Sequence, residues 1–230
     1  MKRVGIIGGL SSESTILYYQ EITRYMKLCL GSQNTTEFLI YQINMENVVN
    51  ALQSKNNQAV FKILLHAAQQ LELFGVDGLV IPCNTLHLFS DQLEQFISVP
   101  LINIMNSVGK YVISNSMKNI LLLGSKYIAS HLFYKDYLQT QFGISVSFPK
   151  KDDADFIHHL IFNHLCLNKM TELLQYQFLE LCEHYYLHYH LDGIVLACTE
   201  LSLIEGKSDY FIDSLKLHTK DIVEFSITQG

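Results

Sequence analysis

The chain has 230 residues, 49% of them apolar, and a formal net charge of −6 at neutral pH. That length buries a substantial core, either as one large α/β unit or as two small lobes, and the apolar content fits a soluble homodimer. The acidic balance and the lack of any Lys/Arg stripe argue against a nucleic-acid partner, and no run of sequence reads as a membrane segment.

Val4 to Ile7 is a continuous apolar run closed by Gly8 and Gly9, which predicts a buried parallel strand entering a tight turn. The run is too short and too glycine-rich for a signal peptide. Glu13 to Leu30 then places Ile16, Tyr19, Ile22 and Met26 at helical spacing. Phe38 to Ile43 predicts a second strand. Val60, Ile63, Leu64, Ala67, Leu71 and Phe74 mark the buried face of a helix that stops at Gly75. Gly78 to Pro82 and Pro100 to Ile104 follow as strands. Strands alternating with helices in this way predict a parallel sheet with helices on both faces.

After about residue 115 the pattern restarts. Lys118 to Gly124 echoes Lys2 to Gly8, and Asp192 to Leu203 echoes Asp77 to Leu88 without a gap. The second echo aligns Asp77 with Asp192, Gly78 with Gly193 and Cys83 with Cys198. A shared Asp-Gly start and a shared terminal cysteine are harder to attribute to chance than an apolar run, so internal duplication is the preferred explanation. The final stretch, Asp213 to Phe225, carries His218 in a helical pattern and is expected to return to the first half. The expected fold is therefore α/β, with two pseudo-symmetric lobes, each a small parallel sheet flanked by helices, and an active site in the inter-lobe cleft. Residues 1–100 plus 210–230 would form the lobe carrying Cys83, and residues 101–209 the lobe carrying Cys198.

Ligands of open α/β sheets bind beyond the carboxyl ends of the strands, which is where both cysteines fall. Each is followed by polar residues, as though it opened a helix whose N–H groups would favour a thiolate and hold a substrate carboxylate. One thiolate and one thiol facing each other could remove a carbon-bound proton from one side and return it to the other. Such a pair would titrate as a unit. Oriented donors must supply the remaining stabilisation. Candidates are the polar residues of Ser11 to Thr15 after the first strand, with Ser125 as their counterpart in the second half. Five cysteines without disulfide-like spacing suit a reducing cytoplasm.

These same residues carry a resemblance. Gly8 to Thr15, Pro82-Cys83-Asn84-Thr85 and Ala197-Cys198-Thr199-Glu200-Leu201 match the three signature regions of the aspartate/glutamate racemase superfamily in order and spacing. Leu122 to Ser125 and the Asp213 to His218 segment extend the similarity over essentially the whole chain. Ser12 to Thr15 with Tyr18 and Tyr19 resembles a bacterial branch of broad-specificity aspartate/glutamate racemases. The resemblance implies an amino-acid racemase that needs no pyridoxal phosphate, with Cys83 and Cys198 as its two catalytic bases, and the residues themselves call for no metal or organic cofactor. It further implies that Asn84, Thr85, Ser125 and Thr199 hold the α-carboxylate and amino groups. Leu10, Ser12 and Glu200 complete the candidate substrate-binding set. Aspartate-specific members grip the distal carboxylate with an Arg in the region of Asn44 to Leu52 and a Lys near position 166. This chain has no Arg there and carries Cys166.

Other readings of these residues stay open. The chain could be an isomerase or hydantoin-type racemase of the same superfamily, acting on another carboxylate or an imide. It could instead be a redox-sensing or binding module in which the two cysteines form a reversible disulfide. Cys29, Cys166 and Cys182 fall in helical patterns and read as packing residues. His184, His188 and His190 fit a histidine-rich helix end better than a metal site. His87, one turn after Cys83, either tunes that thiol or caps the helix, and Glu200 either orients a substrate ammonium or serves the helix N-terminus.

Overall fold

A computed structural model describes residues 1–167, 169–206 and 208–228. The chain divides into two compact units: residues 1–103 together with the stretch from His218 onward, and Ile104–Leu217.

In the first unit β1 (Val4–Gly8) leads into α1 (Ser12–Leu30), β2 (Phe38–Gln42), α2 (Met45–Gln53), α3 (Asn57–Leu73) and β3 (Gly78–Val80). The strands are parallel in the order β2-β1-β3. Ile7, Leu79 and Ile81 enter one apolar cluster with Val60, Leu64, Ala67 and Leu71 of α3. Val4, Ile6 and Val80 are fully buried outside that cluster, so both faces of the small sheet are covered.

The expected strand at 100–104 reduces to a single bridge between Leu79 and Leu101. Pro100 O accepts from Leu79 N and Ile102 N donates to Leu79 O, but Pro100 has no amide to extend the ladder. Ile104 then already begins a helix. β3 is likewise shorter than the apolar run, because Pro82 has no donor and Cys83 N turns back to Ile81 O at 2.8 Å. In α1 the buried face is Ser14, Thr15, Tyr18, Ile22 and Met26. Ile16 and Tyr19, expected inside, lie more than half exposed. Phe74 also faces out, as the C-cap of α3, and Gly75 supplies the left-handed residue that ends the helix.

The second unit runs α5 (Ile104–Ser114), β4 (Asn119–Leu123), α6 (Lys126–His131), α7 (Phe133–Phe142), β5 (Ser145–Ser147) and α8 (Lys151–His159). A π-turn at Leu160–Leu165, α9 (Glu172–His188), β6 (Gly193–Leu196), β7 (Phe211–Asp213) and the start of α10 (Ser214–Ile227) complete it. A short α4 (Ser90–Glu94) precedes this unit. The sheet is parallel in the order β5-β4-β6-β7. Strand alternation sends Ile120, Leu122 and Val195 into a cluster with α5 and α7, while Leu121, Leu123, Ile194 and Leu196 enter one with α8 and α9. A sheet buried on both faces explains why these strands read as unbroken apolar runs.

The Asp-Gly echo has the same physical cause in both units. Asp77 Oδ2 accepts from Arg3 N at 2.6 Å, and Asp192 Oδ2 accepts from Lys118 N and Asn119 N at 2.7 and 2.8 Å. Each aspartate thus ties its strand to the start of the unit's first strand, and the two backbone donors hold the Asp192 carboxyl below its ordinary range. Each glycine leaves room for a neighbour: a Cβ would come within 2.7 Å of the Phe225 ring at Gly78 and of Ile212 at Gly193.

Gly9 is the most constrained position of the turn after β1. Its φ is +85°, and a Cβ there would lie 2.1 Å from the Ile43 carbonyl oxygen. Gly9→Ala is expected to lower stability by about 1–3 kcal/mol or more through strain and backbone displacement, read as a drop in urea midpoint.

Among the described residues no helix is long and apolar enough to cross a membrane.

Candidate active site

Within the first unit the candidate residues gather on the turns that follow β1 and β3. Leu10 is buried at the edge of the unit's apolar cluster, and Ser12 is exposed at the first residue of α1. Cys83 and Thr85 are half-buried, and Asn84 is buried. Ser14 Oγ donates to Pro82 O at 2.7 Å, so the N-terminus of α1 is pinned to the residue before Cys83. Ser11 Oγ accepts from Ser14 N at 3.0 Å as the N-cap. Thr15 Oγ1 accepts from Gly9 N and donates to Ser11 O.

The hydroxyl protons of Ser14 and Thr15 are therefore committed to backbone carbonyls. These two were expected as candidate donors to a ligand, and instead they build the loop. Ser14 had no separate signal in the sequence, because its partner lies 68 residues away.

The helix expected to open at Cys83 is a five-residue 3₁₀ turn, Thr85–Phe89, and Cys198 precedes a similar turn, Thr199–Leu203. The 3₁₀ geometry aligns its peptides less well than an α-helix, and only the turn after Cys83 runs on, into one short helical stretch at Ser90–Glu94, so thiolate stabilisation from that source is smaller than the strand-to-helix reading implied.

Beneath Cys83 lies a buried polar chain. His87 Nδ1 donates to Cys83 O at 2.9 Å, since a carbonyl can only accept. By the same logic His218 Nε2 donates to Ile102 O at 2.7 Å, which leaves Nδ1 to accept from the Tyr18 hydroxyl at 2.8 Å. The two imidazoles meet edge to face at 5.9 Å. Burial, and then the neighbouring His218, push the His87 pKa down to about 3; burial pushes His218 down to about 4. Both rings are neutral at physiological pH. His87 thus holds the cysteine's own carbonyl, and Tyr18 was not foreseen as a member of the chain.

In the second unit Ser125 is buried at the N-cap of α6, after β4. Cys198 is half-buried after β6, and Thr199 and Glu200 are buried beside it. The Cys198 thiol donates to Glu200 Oε2 at 3.0 Å, and Thr199 Oγ1 donates to the same oxygen at 2.9 Å. Ser202 Oγ, one turn on, donates to Asp213 Oδ1 at 2.7 Å, and Ser214 Oγ to Leu196 O at 2.6 Å, which ties the turn after β6 to the start of α10.

Of the remaining cysteines, Cys182 is buried in α9 and burial raises its pKa. Cys166 packs beside the π-turn. Cys29, expected as a packing residue, is exposed because α1 turns that face outward. His184 and His188 stack on one another at 4.2 Å, and no group of three metal-binding side chains occurs among the described residues.

Comparison with known proteins agrees with this arrangement of strands and turns. The chain is 24% identical over 205 residues to the broad specificity amino-acid racemase RacX of Bacillus subtilis (strain 168), which covers 87% of this chain and 86% of that one. Its fold superposes on a crystal structure of a candidate Asp/Glu racemase from Yersinia pestis with a TM-score of 0.91, at 26% identity and with 99% and 100% of the two chains covered. An aspartate racemase homologue from Pyrococcus horikoshii OT3 superposes with a TM-score of 0.87 at 28% identity, over 98% and 99% of the chains. The model of the family Asp/Glu/Hydantoin racemase matches residues 7–222. With nearly its full length accounted for, the chain belongs to the Asp/Glu/Hydantoin racemase family and is an isomerase of that family.

Proposed function

We propose that the protein inverts the α-carbon of aspartate, glutamate or a related amino acid, with Cys83 and Cys198 as the two bases. The observation that carries this reading is the equivalent placement of the two thiols. Each follows the strand paired with its unit's first strand, β3 beside β1 and β6 beside β4, and each is followed by a buried polar residue, Asn84 or Thr199. The thiolate of one cysteine takes the α-proton, breaking the Cα–H bond and leaving the electron pair on a carbanion conjugated with the carboxylate. The thiol of the other delivers its proton to the opposite face. The second thiol ends as a thiolate and the first as a thiol, so the opposite hand runs with the roles exchanged.

Asn84, Thr85, Ser125 and Thr199 would hold the α-carboxylate and amino groups, the Thr199 hydroxyl as an acceptor from the amino group because its proton goes to Glu200, with Leu10, Ser12 and Glu200 shaping the surroundings. Oriented donors at these positions stabilise charge as it develops. Residues 44–52 contain no cationic side chain and position 166 is Cys, so neither of the two cations that the resemblance implies for aspartate-specific members stands at its place. A narrow demand for a distal carboxylate is thus unsupported by charge, in keeping with the broad specificity named for the Bacillus relative. Five free cysteines fit a reducing cytoplasm, and the apolar content fits a homodimer with one small-molecule substrate per protomer.

The test is α-hydrogen exchange in D₂O across a panel of amino acids of both hands, with 5-substituted hydantoins included because the family description names them. Deuterium incorporation with inversion in at least one amino acid is expected. Exchange confined to the hydantoins would move the assignment to that substrate, and exchange in none of the panel would end it.

A further inference from the structure

Resting on the two-cysteine reading, we infer that Glu200 is a positioning residue that keeps the proton on Cys198, so that Cys198 is the resting acid of the pair. The observation is the stretch Cys198–Glu200, where the chain leaves β6 and enters the 3₁₀ turn. Cys198 Sγ and Thr199 Oγ1 converge on one oxygen of the Glu200 side chain, at 3.0 and 2.9 Å. Glu200 is 5% exposed and Thr199 4%, so water competes little for this oxygen. A single carboxylate oxygen thus accepts both hydrogen bonds.

The consequence for sulfur is direct. Ionising Cys198 would place a second negative charge 3.0 Å from the first and break the thiol's bond to it, and both effects favour the protonated form. Thr199 holds the carboxylate against the thiol and contributes no charge. The π-turn packed on the 3₁₀ turn carries His164 and leads to Cys166, and Asp213, bonded to Ser202, is ion-paired with Lys216.

Two bases that exchange one proton must differ in resting state, and this carboxylate supplies a difference. The two hands of an amino acid have equal free energy, so kcat/KM cannot differ between them. A proton resting on Cys198 therefore appears as kcat and KM values that differ between the hands in compensating ways.

The test is the pH dependence of Cys198 alkylation by iodoacetamide, followed by peptide mass spectrometry in Cys83→Ser, which removes coupling to the other thiol. The midpoint is expected above the ordinary thiol value of about 8.5. Glu200→Gln keeps an acceptor of the same shape but removes the charge, and should lower the midpoint by about one unit or more. A parent midpoint at or below the ordinary value, or one that Glu200→Gln leaves in place, would overturn the inference. If the Gln variant does not fold, the parent midpoint decides alone. A raised, Glu200-dependent midpoint without α-hydrogen exchange in the wild type would defeat the racemase reading and keep the thiol–carboxylate pair. Exchange with an ordinary midpoint would do the reverse.

Discussion

Cys83→Ser and Cys198→Ser are each expected to lose inversion by about 10²–10⁴-fold while keeping wild-type stability, measured as chiral product formed from a single pure hand. A serine hydroxyl is nearly isosteric with the thiol but is a far weaker acid, so neither the proton removal nor the delivery step keeps its partner. The double variant should be little slower than either single one, because groups that act as a unit do not lose activity additively. The two single variants should also differ in a diagnostic way. A lone remaining base can take a proton and return it, or a solvent deuteron, only to the side it faces. Each variant should therefore retain weak exchange without inversion, and the two should favour opposite hands. A variant that still inverts at the wild-type rate would mean that its cysteine is not one of the bases.

The second large effect is acid lability. His87 and His218 are buried neutral, and their pKa values fall to about 3 and about 4 against an ordinary 6.5. In the unfolded chain both protonate as pH falls through about 6.5. Between that value and their folded pKa values the unfolded state binds more protons than the native one, so stability falls as pH falls. Each ring contributes up to about 1.4 kcal/mol per pH unit over this window. Half-buried His158 shifts in the same direction. The urea midpoint should therefore decline from neutral pH to about pH 5, above the range in which most carboxylates titrate. His218→Phe leaves the Tyr18 hydroxyl and the Ile102 carbonyl without their partner, which costs about 1–3 kcal/mol per group at neutral pH. Measured against its own neutral value, however, this variant should decline less steeply than the wild type. A wild-type midpoint that is flat over this window would contradict the buried neutral pair.

Much of the architecture was legible in the residues, for reasons local to the chain. Strands buried on both faces must be apolar without interruption, as at Val4–Gly8, Asn119–Leu123 and Gly193–Leu196, and such runs stand out. The Asp-Gly echo was legible because the same two constraints act in both units: a carboxylate that receives backbone donors, and a glycine with a side chain against its Cα. Periodicity misplaced residues where polar groups turn inward. Ile16 and Tyr19 obeyed helical spacing but lost the interior to Ser14 and Thr15, whose hydroxyls bond to Pro82 O and Ser11 O. The strand expected at 100–104 failed where the next element had already begun at Ile104.

By itself, then, the sequence determined the α/β class, the repeat and the two cysteines at equivalent strand ends, since each depends on residue type and short-range spacing. Only the tertiary structure decided what surrounds those cysteines. The grip of His87 on Cys83 is fixed by burial and tautomer, and the Tyr18–His218 bond joins residues 200 apart in the chain. The Cys198–Glu200 contact, between residues two apart, depends on backbone angles and side-chain rotamers that residue order leaves free.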